Sequence, residues 1–325
     1  MKILITGGCG FIGSNFIHHV LGKYKDVNVV NVDKLTYCGN PENLKGIADD
    51  KRYSFIKGDI CDKRLMEEAV RGADVVVNFA AESHVDRSIK YSDDFLATNV
   101  YGVKTLLDAA KKEKIARFIQ IGTDEVYGSV LEGSSTEKDP MEPNSPYSAT
   151  KAAGDLLALS YFKTYGLGVI VTRSSNNFGP YQYPEKALPL FITNILRGKK
   201  VPLYGDGKNV RDWLFVRDNC EAIDLVVHEG KEGEIYNVGG GNTVSNVELT
   251  RKVLKAMGKD ETSIEYVKDR PGHDRRYALD SAKVKKLGWA PKSDFSGALE
   301  ETIEWYRANE AWWAPLKDRA EIIKW

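Results

Sequence analysis

Two carboxylates stand side by side in TDEVYG, residues 123–128, directly after the run RFIQIG. Adjacent like charges repel, and burial of such a pair shifts both protonation equilibria. An acid and a base that serve one substrate need pKa values pushed apart, and Asp124 beside Glu125 is one way to arrange that. In water the same pair is only a polar turn. Further along, Tyr147 and Lys151 are spaced i and i+4, on one face of a helix that would open at Ser145 and Pro146. A free tyrosine has a pKa of about 10. A nearby ammonium favours the phenolate, so the pair is expected to act as a base toward a hydroxyl near neutral pH. The Y-x-x-x-K spacing also arises by chance as a surface contact, and its meaning depends on its surroundings.

Those surroundings begin at the N-terminus. KILITGGCGFIGSN reads as a strand, a glycine turn and a helix. Gly8, Gly10 and Gly13 fit G-x-G-x-x-G, while Gly7, Gly10 and Gly13 fit a wider G-x-x-G-x-x-G. Such glycines let a backbone approach a pyrophosphate seated at a helix N-terminus. Asp33 follows Gly13 by about twenty residues, at the end of the second strand, where a carboxylate binds ribose hydroxyls. That favours NAD over NADP, because a carboxylate repels a 2′-phosphate; the adjacent Lys34 softens the preference. Asp59 and Ile60, ending the third strand, are expected beside the adenine, and Phe79, Ala80 and Ala81, ending the fourth, where the cofactor passes the backbone. The full set expected at the dinucleotide adds Phe11, Ile12, Leu35, Thr36, Ser83, Thr98 and Asn177 to Tyr147 and Lys151.

The elements that must position these groups follow from the apolar pattern. Candidate strands are 2–6, 28–32, 53–57, 75–79, 117–121 and 168–172, with helices at 13–24, 63–70, 95–112 and 147–165 between them. The strands are Val/Ile-rich without polar alternation, as in strands buried on both faces. The expected fold is α/β, a Rossmann-type doubly wound parallel sheet with a smaller mixed α/β C-terminal substrate domain. The NAD-binding domain is expected over 1–173 and the substrate domain over 174–325, with 209–230 returning to the first. The 325 residues suit roughly two domains. The chain is 42% hydrophobic and 28% charged, with a formal net charge of zero, so nothing pulls it generally toward nucleic acid or an anionic membrane. No apolar run has the length of a membrane span. Cys9, Cys38, Cys61 and Cys220 are scattered without metal-ligand spacing, so free thiols, no metal and a cytoplasmic location are expected.

The loop TGGCGFIG, the Tyr147/Lys151 pair and the chain order resemble the extended short-chain dehydrogenase/reductases. That family has a Rossmann domain, bound NAD or NADP and a smaller domain for nucleotide-sugars. TDEVYG resembles the signature of its nucleoside-diphosphate-glucose 4,6-dehydratases, above all those acting on dTDP-glucose. The blocks AAESHVDRSI, TNVYG, RSSNNFGPYQYPEK, RDWLFVRD and DRPGHDRRYALD extend the likeness over nearly the whole chain. The resemblance implies tightly bound NAD, regenerated each turnover, and a lyase that oxidises C4 transiently, loses water across C5–C6 and returns the hydride to C6. It implies that Tyr147 starts the oxidation, Thr123 hydrogen-bonds at C4, Glu125 is the base at C5 and Asp124 the acid at C6. Epimerases of the superfamily typically lack the Asp–Glu pair.

The substrate set expected from the same likeness is Ser83, Thr123, Asn176, Lys186, Ala187, Pro202, Leu203, Tyr204, Arg211, Asn246, Arg270 and His273. Arg211 and Arg270 suit the diphosphate, whereas Arg275 and Arg276 are as well explained by surface ion pairs. His84 suits core packing at least as well as catalysis. Relatives pair helices 95–112 and 147–165 across a two-fold axis, which implies a homodimer through a four-helix bundle. Two departures are small: Gly122 stands where relatives often have Ser, and Cys9 where they often have Ala. Remaining alternatives are a UDP-glucose 4,6-dehydratase, a nucleotide-sugar 4-epimerase and a non-catalytic NAD-binding protein of this fold.

Overall fold

The Val/Ile runs of the first half become a sheet buried on both sides. In the computed structural model, which describes residues 1–320 and Ile323, the strands are β1 (Lys2–Thr6), β2 (Asn28–Asp33), β3 (Tyr53–Lys57), β4 (Val75–Asn78), β5 (Arg117–Thr123), β6 (Val169–Ser174), β7 (Asn176–Phe178), β8 (Val201–Tyr204), β9 (Val210–Phe215), β10 (Ile235–Val238), β11 (Thr243–Ser245) and β12 (Ile264–Val267). The large sheet has seven strands in the order β10-β6-β5-β4-β1-β2-β3. All its pairings are parallel, with Leu4 opposite Val30 on one side and Val76 on the other. Ile3 and Ile5 pack under Phe16, Ile17 and Val20 of helix Phe11–Lys23 and Ile223 and Val226 of helix Val216–Glu229. Leu4 and Val76 face the other way, against Met66, Leu106, Leu107 and Ala158. This is the doubly wound Rossmann-type fold, with every strand side chain of β4 and β6 buried.

The strand order reverses between β1 and β4. In such sheets ligands bind beyond the carboxyl ends at that point. The rest of the chain builds β11-β9-β7, the pair β12-β8, and a third core around Phe178, Phe191, Trp213, Leu249 and Trp313. After β9 the chain returns to the large sheet through helix Val216–Glu229, and β10 joins β6 as a seventh strand beyond residue 230.

Helix 95–112 is not a single α-helix. It runs as Asp93–Leu96, a π-helical stretch Ala97–Gly102, then Val103–Lys112. Within the wide turn, buried Asn99 exchanges two hydrogen bonds with the Glu82 backbone, at 2.9 and 3.0 Å. A Cβ on Gly102 would lie 2.6 Å from Ile60, so the glycine lets this turn press on the sheet. Among the described residues no helix is long and apolar enough to cross a membrane.

Candidate active site

The glycine turn closes against the end of β4. Gly7 has φ 71°, and a Cβ there would sit 2.6 Å from the Ala80 nitrogen. A Cβ on Gly13 would meet the Gly7 oxygen at 2.4 Å. Gly8 instead packs on β2, donating its N–H to Asn31 Oδ1 at 3.1 Å, so the wider glycine pattern is the one that faces the cavity. Helix Phe11–Lys23 starts at Gly10 with no side-chain cap and no acidic residue in its first turn. Its free N–H groups and dipole suit a pyrophosphate. Asp33 is buried, and accepts from Cys9 N at 2.9 Å and Leu35 N at 2.8 Å. Burial pushes its pKa up and those two amides oppose the push. Lys34 is paired with Asp59 at 2.8 Å, which occupies the cation that would otherwise favour a 2′-phosphate. These residues fit a dinucleotide with unphosphorylated ribose hydroxyls.

A cleft opens beyond this turn. All the residues expected at the cofactor line it except Leu35 and Asn177. Leu35 turns at φ 58° and packs its side chain on the sheet core; Asn177 lies in β7 and donates to Ser175 O. Tyr37, Cys38, Glu82, Gln182, Tyr183 and Glu185 also line the cleft and were missed. Tyr37 meets Tyr183 edge to face at 5.5 Å, a contact between two loops that no local pattern announces. Burial and Asp94 push Glu82 up to about 7. Cys9 is buried and its thiol is pushed up to about 12, so it fits as an inert small side chain.

At the end of β5, pairing with β6 carries the strand two residues past its expected end, to Thr123 opposite Ser174. Thr123 caps the short turn Asp124–Tyr127, accepting from Glu125 N and donating to Asp124 Oδ1, both at 3.3 Å. Asp124 is 4% exposed and its Oδ2 has no partner. Burial, then Glu125 and Asp212, hold its carboxyl well above the usual range, against Arg211 and Thr123. Burial also raises Glu125, but Arg270, Arg211 and Lys186 pull it down. Asp124 is buried and Glu125 partly so; both are raised, Asp124 well above its usual range, and the pair is not a solvated turn.

Helix Pro146–Tyr165 presents the second pair. Ser145 forms a reciprocal capping box with Ser148, proline starts the helix, and Gly166 ends it at φ 71°. Tyr147 and Lys151 both line the cleft and are 8% and 6% exposed. One expectation fails. Lys151 does not pull the Tyr147 phenol down; its Nζ donates to Ile121 O at 2.5 Å. Burial and the charge of Glu125 push Tyr147 upward, with only Thr123 opposing. Lys151 itself is lowered by burial and raised by Asp155 one turn on. Asp155 forms a fully buried ion pair with Arg173 at 2.9 Å. A Cβ at Gly122 would sit 2.8 Å from Thr172 O and 3.0 Å from Asp155 Oδ2, so glycine there admits that pair beneath Thr123.

Of the expected substrate residues, only Ser83 and Lys186 line the same cleft, joined by Lys186 Nζ donating to Ser83 O at 2.7 Å. Arg211 and Arg270 act on Glu125. Arg270 is tied to Asp86 at 2.9 Å, and Tyr204 donates to the same carboxylate at 3.2 Å. His273 bonds Asp269 at 2.6 Å, yet burial, Arg270 and Arg211 push it down to about 4, leaving it neutral. Asn176 lies in β7 with its Oδ1 unpartnered, and Asn246 opens helix Asn246–Ala256. Pro202 is half-buried in β8 and Ala187 is exposed at a helix start. Leu203 turns its side chain into the third core at 1% exposure, which leaves its backbone as the part that could meet a ligand. Arg275 pairs with exposed Asp206 and Arg276 with the carbonyls of Val130 and Gly133. His84 is neutral, held well below its usual value by burial. Among the described residues no group of side chains is arranged to hold a metal.

Residues 4–302 match the family model described as GDP-mannose 4,6 dehydratase. A dTDP-glucose 4,6-dehydratase of Streptomyces niveus is 51% identical over 99% of this chain and 97% of its own length. The chain belongs to the dTDP-glucose 4,6-dehydratase family. The crystal structure of DesIV, a dTDP-glucose 4,6-dehydratase from Streptomyces venezuelae with NAD bound, superposes with a TM-score of 0.96 at 49% identity, covering 97% of this chain and 100% of that one. The UDP-glucose 4-epimerase of Thermus thermophilus, in complex with NAD, is more distant: 32% identity and a TM-score of 0.87 over 95% of this chain and 100% of that one.

Proposed function

We propose that this protein converts dTDP-glucose to dTDP-4-keto-6-deoxyglucose and water, as a lyase with NAD as its resident cofactor. The observation that carries the reading is the Asp124–Glu125 pair, Asp124 buried and Glu125 partly so, unequally shifted and lying beside Thr123 and Tyr147. The turn at Gly7, Gly10 and Gly13, with Asp33, would hold NAD. When bound, NAD supplies the electron-pair acceptor at C4 and the donor at C6, and its positive ring favours the Tyr147 phenolate. Tyr147 takes the proton of the C4 hydroxyl while Thr123 hydrogen-bonds that oxygen. The C4 ketone acidifies C5–H, and Glu125 takes that proton. Asp124, kept protonated by its surroundings, gives its proton to the C6 hydroxyl, which leaves as water. Glu125 returns its proton to C5, and the proton gained at Tyr147 replaces the one lost from Asp124.

Arg211 and Arg270 would bind the diphosphate. Residues 1–173, with the returning segment that ends in β10, would form the cofactor domain, and the rest the nucleotide-sugar domain. Leu96, Tyr101 and Leu156 are each more than half exposed on the two helical segments, at 52%, 56% and 55%, which supports a homodimer through a four-helix bundle. A cytoplasmic location accords with cysteines that are all unpaired.

The test is mass spectrometry of dTDP-glucose after incubation with the purified protein and no added NAD. A product lighter by one water is expected. Unchanged mass with an inverted C4 centre would move the assignment to epimerase and remove the roles of Asp124 and Glu125.

A further inference from the structure

A hydrogen-bonded path joins the C-terminal helix to the glycine turn. Trp312, in helix Glu310–Arg319, donates its indole N–H to Asn43 Oδ1 at 2.8 Å, across 269 residues of chain. Asn43 is 2% exposed and sits in the 3-10 helix Pro41–Ile47. Its Nδ2 donates to Cys9 O at 3.0 Å. The Asn40 amide donates to the same carbonyl at 2.9 Å, and the Asn43 carbonyl meets His18 Nε2, on helix Phe11–Lys23, at 2.7 Å. Cys9 is the middle of the turn, and its own N–H is held by Asp33. One side chain, Asn43, therefore ties together the C-terminal helix, the first helix and the turn.

The same C-terminal region grips the opposite wall of the cleft. Tyr183 donates to Leu316 O at 3.4 Å, and Tyr306 donates to Gln182 O. Gln182 and Tyr183 both line the cleft. Tyr181 packs against Trp305 and Trp312 at 4.9 and 6.0 Å and stacks on His18 at 5.8 Å. Neither Trp312 nor Asn43 lines the cleft, so both act through other residues.

We infer that the C-terminal helix is a latch on the cofactor: Trp312, acting through Asn43, fixes the Cys9 carbonyl, holds the glycine turn in its binding shape and slows NAD release. The inference rests on the reading that NAD is resident here. In a cycle that returns the cofactor to its starting state, release achieves nothing and loss midway aborts the product, so a slow exit serves the reaction.

The test follows exchange of protein-bound NAD. The full-length holoprotein is mixed with excess isotope-labelled NAD, and the bound cofactor is read by mass spectrometry over time, without substrate. Trp312→Phe keeps a smaller aromatic ring in the cluster and removes the donor, leaving the buried Asn43 oxygen unpaired; NAD exchange is expected to quicken about tenfold. Asn43→Asp keeps the acceptor for Trp312 but sets a carboxylate against Cys9 O, and is expected to quicken exchange at least as much. Trp305→Phe disturbs the same aromatic cluster without touching Asn43 and should exchange at the parent rate. Parent-like exchange in both Trp312→Phe and Asn43→Asp would overturn the latch, as would equal acceleration in Trp305→Phe, which would mean general loosening. A parent protein that binds no NAD would overturn the proposed function and the latch with it.

Discussion

Asp124→Asn should make the protein more stable as pH rises, while removing its acid. In the unfolded chain an aspartate titrates near 3.9. In the fold Asp124 is 4% exposed, has one unpartnered oxygen, and is held well above that value by burial, Glu125 and Asp212. The folded state therefore binds the proton more tightly than the unfolded state. Its penalty is absent below about pH 4, grows by about 1.4 kcal/mol for each pH unit above that, and is complete above the folded pKa. Asparagine does not titrate, so the variant escapes the slope. Its amide does leave a donor in a buried site, at a cost of about 1–3 kcal/mol that does not vary with pH. The diagnostic quantity is thus the slope of the stability difference, not its value at one pH. Urea unfolding of parent and variant, at several pH values from about 4 to neutrality, measures it. The difference should move steadily in favour of asparagine across that range. Parallel curves, or a difference moving against asparagine, would show that Asp124 is charged and satisfied in the fold, and the acid role would fall. Turnover of the variant should drop by about 10²–10⁴.

Tyr147→Phe should prevent oxidation at C4, so adding dTDP-glucose should give no near-ultraviolet absorbance of reduced nicotinamide; absorbance at the parent rate would clear Tyr147 of the base role. Asp124→Asn with Glu125→Gln should oxidise C4 and then stall, so that absorbance should rise and persist, and parent-level water loss would refute the pair's role. Gly13→Ala would place a Cβ 2.4 Å from Gly7 O and 2.9 Å from Gly8 Cα, both backbone, so the turn must move. At about 1–3 kcal/mol for such overpacking, NAD affinity should fall by about tenfold or more, read by titration of the stripped protein; unchanged affinity would mean that the turn does not hold the cofactor. Leu156→Glu, at an exposed leucine of helix Pro146–Tyr165, should yield monomers in sedimentation if the proposed bundle holds the dimer, and an unaltered dimer would place the interface elsewhere.

Much of this was legible because parallel strands buried on both faces leave long apolar runs. β1, β2 and β4 to β6 carry that signature, and the glycine turn and Tyr147/Lys151 are local patterns attached to it. What was not legible depends on pairing at a distance. β10 is four residues, IYNV, and only its ladder with β6 makes it part of the large sheet. The end of β5 is set by its partner, so Thr123 is a strand residue despite the polar turn that follows. The i, i+4 spacing placed Lys151 beside Tyr147, but spacing does not say where an ammonium points, and a carbonyl on β5 claims it. That the Leu203 side chain packs inward becomes visible only with β8 in register against β12.

The unequal shifts proposed to separate acid from base at the end of β5 draw on charges from β5 itself and from segments beyond β7. Burial alone would raise both carboxylates, and mutual repulsion alone would not say which keeps its proton. The cations that draw Glu125 down are Arg270, Arg211 and Lys186, carried by segments beyond β7 rather than by the large sheet. Asp124 feels Arg211 but also Asp212, its neighbour on β9, which pushes the other way. Adjacent residues on one strand point to opposite faces, so Arg211 and Asp212 deliver opposite charge from one element. A Rossmann sheet with Thr123, Tyr147 and Lys151 contains the parts for oxidation at a hydroxyl carbon. Elimination needs in addition one carboxyl kept as an acid and another free to act as a base. In the proposed reaction, Arg270, Arg211 and Lys186, carried by segments beyond β7, would favour Glu125 over Asp124 as the base.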